Sequence, residues 1–326
     1  MSPTEQHALI LPVKQGNFVL STRPIPSPKA GEILVKVKAI SLNPIDSKIQ
    51  STGIMVEKYP AVLGNDVAGE VASLGEGVKS FSKGDRVFFQ AVPPIGPDYG
   101  GYQDYALGLA ETVAKKYTYS QAATVPLTLT TAAVGLFADA PSGAGLNPTW
   151  DPKVRHVGKS ALIIGGGSSV GMNAPKITRS STTIIAYASG THTEYLKSLG
   201  ATTVIDRNKV PASDLTTVNI VYDAVFSPEG QAAGYAALVD NGHLLSVRAT
   251  PDAYVPTDLD YVRGRKVTSV IGSPHMPNNR VFGKILYEKL GGLLKNGAIV
   301  SRLITPLARL GLKSFPAGWK ALRWAC

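Results

Sequence analysis

The first third of the chain alternates apolar and polar positions with a period of two. Within residues 33–40, valine and alanine positions alternate with lysines, a pattern that predicts a strand with one face in water. Similar short runs recur at Val67–Val71 and Arg86–Phe89, separated by glycine-containing turns. No long helical period is found before about Ser120. These features together predict a small antiparallel barrel.

After Gln121, strand-like runs alternate with stretches compatible with helix, such as Glu194–Leu199 and Glu229–Leu238. The five runs that predict strands are Ala161–Ile164, Thr183–Ala188, Val218–Asp223, Gly242–Val247 and Val267–Ile271. Strand–helix alternation is typical of an α/β fold with a doubly wound parallel sheet. The segment 139–158, which is rich in proline, glycine and asparagine, is predicted to be a surface connector.

Composition places the chain among ordinary globular proteins. Its 326 residues suffice for two domains, and 44% hydrophobic with 17% charged residues argues against disorder. We expect neither a signal peptide nor a membrane span, because no basic and apolar leader and no apolar run of about 20 residues is present. The single cysteine, Cys326, excludes an intrachain disulfide, which favours a cytoplasmic protein.

The net charge of +10 does not by itself indicate a nucleic-acid partner. Lysines and arginines are dispersed, and no aromatic stacking platform is interleaved with them. A basic surface that attracts a phosphorylated cofactor or an anionic partner explains the same charge.

A glycine- and serine-rich turn directly follows the apolar run Ala161–Ile164. Glycines allow a tight turn and a close approach to a pyrophosphate, and a following helix would offer its N-terminus to the anion. The turn departs from the common G-x-G-x-x-G pattern, since it reads G-G-G-S-S-V-G. The residues predicted to bind the cofactor here are Gly165, Gly166, Gly167, Ser168, Ser169, Val170 and Gly171.

Four further motifs occur in order with this turn: LNPIDSK at 42–48, YPAVLGNDVAGEV at 59–71, GDRV at 84–87 and LTLTTAA at 127–133. Together they resemble the zinc-independent medium-chain dehydrogenase/reductases, in the quinone oxidoreductase and fungal trans-acting enoyl reductase branch. The resemblance covers about residues 8–310. It implies a GroES-like catalytic domain over 1–124 and 275–326, and a Rossmann domain over 125–274.

The resemblance also predicts whether the chain binds a catalytic zinc ion. The positions that match the cysteine and histidine zinc ligands of metal-dependent relatives are Asn43 and Asn65, and an amide is a poor substitute for thiolate or imidazole. The five histidines are scattered, so no metal is expected. Without zinc to stabilise an alkoxide, the expected chemistry is hydride transfer to an electron-poor carbon.

The expected cofactor is NADPH. No carboxylate occurs from Met172 to Thr193, where NAD-specific folds place one for the ribose hydroxyls. By resemblance, Ser189, His192 and Arg207 fall near positions that bind the 2′-phosphate, although a solvated loop arginine explains Arg207 equally well. Two further residues expected at the cofactor are Val225 and Val247.

The resemblance implies three catalytic residues. Asn43 would lie beside the nicotinamide, although an asparagine before Pro44 also suits a turn. Lys48 would donate a proton or anchor an anionic substrate, and its alternative is a solvated surface lysine. Thr131 would hydrogen-bond the nicotinamide amide or ribose. Tyr59 and Tyr102 are candidates for the pocket wall, although packing alone would account for both.

Two features depart from the resemblance. Pro175 falls inside the helix predicted after the glycine turn, where proline costs about 3 kcal/mol. The chain also stops soon after 307–322, where relatives continue into a final strand, so we expect an incomplete barrel.

The expected function is the first of the following three, and the other two are its alternatives. The first is an NADPH-dependent reductase of a small-molecule enone, enoyl thioester or quinone. The second is a trans-acting enoyl reductase that works on chains bound to an acyl carrier domain of a polyketide synthase. The third is a non-catalytic NADPH-binding sensor or RNA-binding protein. We expect a monomer or homodimer.

Overall fold

In the computed structural model, two compact units are formed. Within the described residues, the first unit contains 4–127 and Tyr287–Gly292, and the second contains Thr128–Leu286 and 293–295. The expectations about Pro175 and about 307–326 lie outside the described residues. The structure describes residues 4–92, 96–115, 118–151, 153–174, 181–247 and 262–295.

The first unit is built from antiparallel sheets, as the alternating pattern predicts. One sheet has the strand order β2-β1-β4, from β1 (Glu5–Leu11), β2 (Val19–Pro24) and β4 (Ala61–Val62). The other has the order β7-β3-β5-β6-β8, from β3 (Glu32–Ser41), β5 (Asp66–Leu74), β6 (Arg86–Gln90), β7 (Tyr105–Leu109) and β8 (Val113–Lys115). Each described strand pair in this unit is antiparallel.

The first unit also contains a short helix that the sequence patterns did not predict. Helix α1 (Pro44–Thr52) begins after Asn43, whose backbone is extended, and ends at Gly53, which adopts a φ of 72°. An asparagine N-cap, proline at the first position and a left-handed glycine at the end are standard helix boundaries. The nine residues of α1 are too few to show a clear apolar period in the sequence.

The second unit contains a parallel sheet with the strand order β11-β10-β9-β12-β13-β14. Its strands are β9 (His156–Ile164), β10 (Ser181–Ala188), β11 (Thr203–Asp206), β12 (Val218–Asp223), β13 (Leu238–Val247) and β14 (Lys266–Val270). This order is that of a Rossmann fold, and it confirms the predicted doubly wound sheet. Strand β9 begins inside the predicted connector 139–158.

The remaining described helices, which complete the α/β pattern, are α2 (Tyr119–Ala122), α3 (Pro126–Phe137), α4 (Thr193–Ser198), α5 (Pro228–Ala236) and α6 (Arg280–Lys295). On the sheet, Leu162, Val221 and Leu244 are completely buried, as expected for parallel strands covered on both faces. No helix among the described residues is both long enough and apolar enough to cross a membrane.

Candidate active site

The glycine turn lies at the carboxyl end of β9, where such sheets bind dinucleotides. Gly165 adopts a φ of 75°, and a Cβ there would overlap Val225 Cγ2. A Cβ on Gly166 would lie 3.0 Å from the Cβ of Ala186, and one on Gly171 would overlap the carbonyl oxygen of Gly165. Glycine at these three positions therefore lets the turn pack closely against Val225, Ala186 and its own backbone. A tight glycine turn before a helix is the type of segment that binds a pyrophosphate, and cofactor binding by these residues stays a prediction.

Hydrogen bonds and one imidazole fix the shape of this turn. The Ser168 hydroxyl accepts a hydrogen bond of 2.9 Å from the Gly171 N–H. The Asn173 amide donates to the carbonyl oxygen of Ser169 at 3.0 Å. The His192 ring covers Gly167, since a Cβ there would lie 2.8 Å from His192 Cδ2. The structure therefore places His192 beside the glycine turn. Its predicted role at a 2′-phosphate stays a prediction.

A buried polar network holds the segment after β12 against the turn. Asp223, which is completely buried, accepts hydrogen bonds from the N–H groups of Val225 and Phe226 at 3.0 and 3.1 Å. Its second oxygen accepts from Ser246 at 2.8 Å, and Gln231 donates to Ser246 at 2.9 Å. Phe226 is held at a φ of 64°, and the Val225 side chain is 50% exposed. The network presents an apolar side chain beside the glycine turn.

The other predicted cofactor residues lie on neighbouring strand ends. Ser189 follows β10, and its hydroxyl pairs with that of Thr191 at 3.0 Å. The Arg207 N–H donates to the Ala188 carbonyl oxygen at 2.9 Å, and its side chain is exposed. Val247 ends β13.

Thr131 is a buried residue of the second unit. It lies on α3 with 4% exposure, and its carbonyl oxygen accepts a hydrogen bond of 2.8 Å from the Tyr222 hydroxyl. A Cβ on Gly272 would overlap Thr131 Oγ1. Its predicted contact with a nicotinamide stays a prediction.

In the first unit, Asn43 belongs to a buried polar cluster with Asp46, Asn65, Asp66 and Tyr102. The Asn43 amide donates to Asp66 at 3.0 Å, and its backbone N–H donates to Asp46 at 3.0 Å. Asp46 also accepts from the Asn65 amide and from the Tyr102 hydroxyl, both at 2.8 Å. Asn43 therefore joins two carboxyl groups, one on α1 and one on β5.

Burial sets the charge state of both acids in this cluster. Asp46 and Asp66 are 0% and 1% exposed. Desolvation raises the pKa of Asp46 to about 6, although the Tyr102, Asn43 and Asn65 hydrogen bonds oppose the rise. Desolvation raises the pKa of Asp66 to about 7 against the bonds from Asn43 and from the Leu127 N–H, and the Asp46 charge adds to the rise. The pair therefore takes up a proton near neutral pH.

Lys48 and the two candidate tyrosines occupy different environments. Lys48 lies on α1, two positions after Asp46, and is half-buried. Tyr102 is completely buried, and its hydroxyl bonds Asp46, so it is a core residue rather than a pocket wall. The Tyr59 hydroxyl is buried without a hydrogen-bond partner among the described residues.

The donor set in this cluster does not fit zinc. The amide nitrogens of Asn43 and Asn65 donate to Asp66 and Asp46 respectively, and neutral amide oxygens are weak ligands for Zn²⁺. Among the residues that the structure describes, no group of three or more His, Cys, Asp or Glu side chains could hold a metal ion.

Sequence reasoning missed four acids that shape these sites: Asp46, Asp66, Asp206 and Asp223. The signal for Asp46 was present, since an acid three residues after an asparagine that precedes proline is typical of a helix start. Asp66 has its partners on distant segments. Asp206 and Asp223 bond nearby backbone N–H groups, but their contacts with Gly190 and Ser246 come from neighbouring strands or strand ends and leave no local signal.

Comparison with known proteins agrees with this architecture. Residues 29–128 match the alcohol dehydrogenase GroES-like domain. The chain is 33% identical to dehydrogenase pigH of Monascus ruber over 83% of its own length and 72% of that protein. It is 35% identical to the trans-enoyl reductase tazE of Aspergillus terreus, over 68% of the chain and 73% of that protein. With dehydrogenase azaJ of Aspergillus niger it shares 36% identity over 64% of the chain, and it spans only 62% of azaJ.

Solved structures show the same fold. An alcohol dehydrogenase superfamily protein from Novosphingobium aromaticivorans is 28% identical, with a TM-score of 0.74 over 91% of this chain and 89% of that one. A mycobacterial protein complexed with NADPH is 25% identical, with a TM-score of 0.69 over 90% of each chain. On this evidence, the chain belongs to the medium-chain dehydrogenase/reductase superfamily of oxidoreductases.

Proposed function

We propose that this oxidoreductase uses NADPH to reduce an activated C=C bond, in an enone or an enoyl thioester, or a quinone, without zinc. The observation that carries the proposal is the pair Asn43 and Asn65. Both stand where metal-dependent relatives have zinc ligands, and both are hydrogen-bonded to buried acids. A site without a Lewis acid suits a substrate that is already electrophilic.

With an enone or enoyl thioester, the reaction adds a hydride to the β-carbon and a proton to the α-carbon; with a quinone, the hydride and a proton together give the hydroquinone. A bound NADPH would supply the hydride. Lys48 is our candidate for the proton donor, or for the anchor of an anionic substrate. Asn43 is fixed by its two acidic partners and forms part of the substrate site. Thr131 holds the nicotinamide amide or ribose. We assign substrate binding to the domain 1–124 with 275–326, and cofactor binding to 125–274.

A preference for NADPH rests on the segment after β10. Ser189, Thr191 and His192 supply polar groups there, and Arg207 supplies a positive charge. Residues 172–193 contain no carboxylate that would repel a 2′-phosphate. The solved relative with bound NADPH supports the same cofactor class.

The experiment is a screen of NADPH oxidation against quinones, enones and enoyl thioesters. We expect turnover with at least one class, with Asn43→Ala as the impaired variant. Turnover of a simple alcohol with NADP⁺ in preference to all three classes would contradict the proposal.

A second candidate is reduction of a chain bound to an acyl carrier domain. The trans-enoyl reductase tazE supports it, and the net charge of +10 suits an acidic carrier domain. Comparing a carrier-tethered enoyl chain with the same acyl group on a small thiol distinguishes the two. Activity only with the tethered chain supports this candidate. Binding of NADPH without any turnover would instead indicate a sensor or RNA-binding protein.

A further inference from the structure

The sheet brings an acid to the carboxyl end of β10 from the neighbouring strand. Strands β10 and β11 are parallel, and Ala188 lies opposite Asp206 in their register. In a dinucleotide fold, the end of the second strand is where the adenosine ribose binds. Here that strand end is followed by Ser189 and Gly190. The carboxylate that is missing from 172–193 is therefore supplied by residue 206.

Contacts hold this carboxyl group against the β10 end. A Cβ on Gly190 would overlap Asp206 Oδ2, so position 190 accommodates the acid only as glycine. The Asn208 N–H donates to Asp206 Oδ1 at 3.0 Å. The hydrogen bonds from the backbone N–H groups of Asn208 and Gly190, with the nearby charges of Lys209 and Arg207, hold the pKa of Asp206 below its usual value. Asp206 is therefore ionised at neutral pH.

Charges of both signs lie near the same strand end. Asp206 carries a negative charge next to Gly190, and Arg207 carries a positive charge one residue further on. A ribose with a free 2′-hydroxyl can donate a hydrogen bond to a carboxylate, whereas a 2′-phosphate is repelled by it. A cation attracts the phosphate and leaves the hydroxyl nearly unaffected. The two side chains therefore act in opposite directions on the choice of cofactor.

We infer that Asp206 is a specificity-determining residue that limits the preference of this site for NADPH over NADH, and that Arg207 opposes it. The inference rests on the proposed function for the class of cofactor. The expected preference then depends on a balance between two adjacent residues at the end of β11, and not only on the absence of a carboxylate from 172–193.

The test measures dissociation constants for NADPH and NADH by fluorescence titration of the full chain. For Asp206→Asn, we expect NADPH to bind about 5- to 30-fold more tightly relative to NADH, because one repulsive charge is removed. For Arg207→Ala, the ratio should shift in the opposite direction. Asp214→Asn is the matched control, since it removes the same charge from an exposed position of the same unit.

Salt separates this electrostatic role from a structural one. The effect of Asp206→Asn on the ratio should shrink in about 0.5 M salt, where charges at the surface are screened within about 4 Å. An unchanged ratio in Asp206→Asn, or a parallel loss of both cofactors, overturns the inference while leaving the proposed function intact. Failure of both cofactors to bind the unaltered chain overturns the proposed function, and this inference with it.

Discussion

Replacing Asp66 with asparagine should remove much of the pH dependence of folding stability in this chain. In the folded chain, burial raises the pKa of Asp66 from 3.8 to about 7. Below pH 3.8 the carboxyl group is protonated in both the folded and the unfolded chain. As the pH rises towards about 7, the unfolded chain releases its proton first, so the free energy of unfolding falls. Above about pH 7 the carboxyl group is ionised in both states, and the free energy of unfolding falls no further on its account.

The magnitude follows from the pKa. A rise from 3.8 to about 7 makes ionisation cost about 4 kcal/mol more in the folded chain than in the unfolded one. That is a large part of the about 5–15 kcal/mol that stabilises a typical domain. An asparagine side chain cannot ionise. Between about pH 4.5 and pH 8, the free energy of unfolding of the Asp66→Asn variant should therefore fall by roughly 3–4 kcal/mol less than that of the unaltered chain. The pH dependence of stability that Asp46 contributes remains in this variant.

The substitution can keep both hydrogen bonds that Asp66 accepts, at the loss of the long 3.4 Å bond from the Asn43 amide to the Ser41 carbonyl oxygen. Asp66 Oδ1 accepts from the Leu127 N–H at 2.8 Å, and an asparagine oxygen can do the same. The new amide nitrogen faces Asn43, whose own amide can rotate by about 180° and present its oxygen. The variant is therefore expected to fold, and its stability at about pH 4.5 should stay close to that of the unaltered chain.

Urea denaturation followed by circular dichroism, at several pH values from about 4.5 to 8, measures the effect. Glu57→Gln is the control, because it removes a carboxylate from an exposed position of the same unit. For this control, a plot of the free energy of unfolding against pH should remain parallel to that of the unaltered chain. If the Asp66→Asn curve is parallel as well, burial of Asp66 does not govern the pH dependence, and the reasoning is wrong.

Three further predictions concern the proposed function. NADPH should bind at least about tenfold more tightly than NADH, since a charge-assisted contact contributes roughly 1.5–3 kcal/mol; equal affinities in a fluorescence titration would refute this. Lys48→Ala should lower turnover or weaken an anionic substrate while NADPH affinity is unchanged, with Lys58→Ala, an exposed lysine of the same unit, as its control; unchanged kinetics would make Lys48 a surface residue. Elemental analysis should find no stoichiometric zinc, and chelators should leave turnover unchanged; one zinc per chain would show that the interpretation of Asn43 and Asn65 is wrong.

Patterns along single segments predicted most of the fold. The runs at Thr183–Ala188 and Val218–Asp223 became strands β10 and β12 with closely matching bounds. Their signal is strong because strands buried on both faces are apolar throughout. Helix α1 could not be predicted in this way, because its sequence pattern is weak. It is short and half polar, and its ends rather than its period define it.

The candidate cofactor site could be predicted where the chemistry lies in one segment. The glycine turn is such a case, because steric and conformational demands act on consecutive residues. The Asp223–Ser246 hydrogen bond is different, since β12 and β13 create it only when they pair in one register. The hydrophobic pattern predicts that such strands form, but not which polar side chains meet across them.

The buried acids show how a local inference can be correct and still mislead. The absence of a carboxylate from 172–193 is a true property of the sequence, yet strand pairing supplies Asp206 to the same strand end. Similarly, asparagine at positions 43 and 65 does not make its surroundings neutral, because both amides bond buried acids. Charge at a site is set by every segment that folds onto it. An argument from one motif about cofactor choice or metal content must therefore be checked against the neighbouring strands.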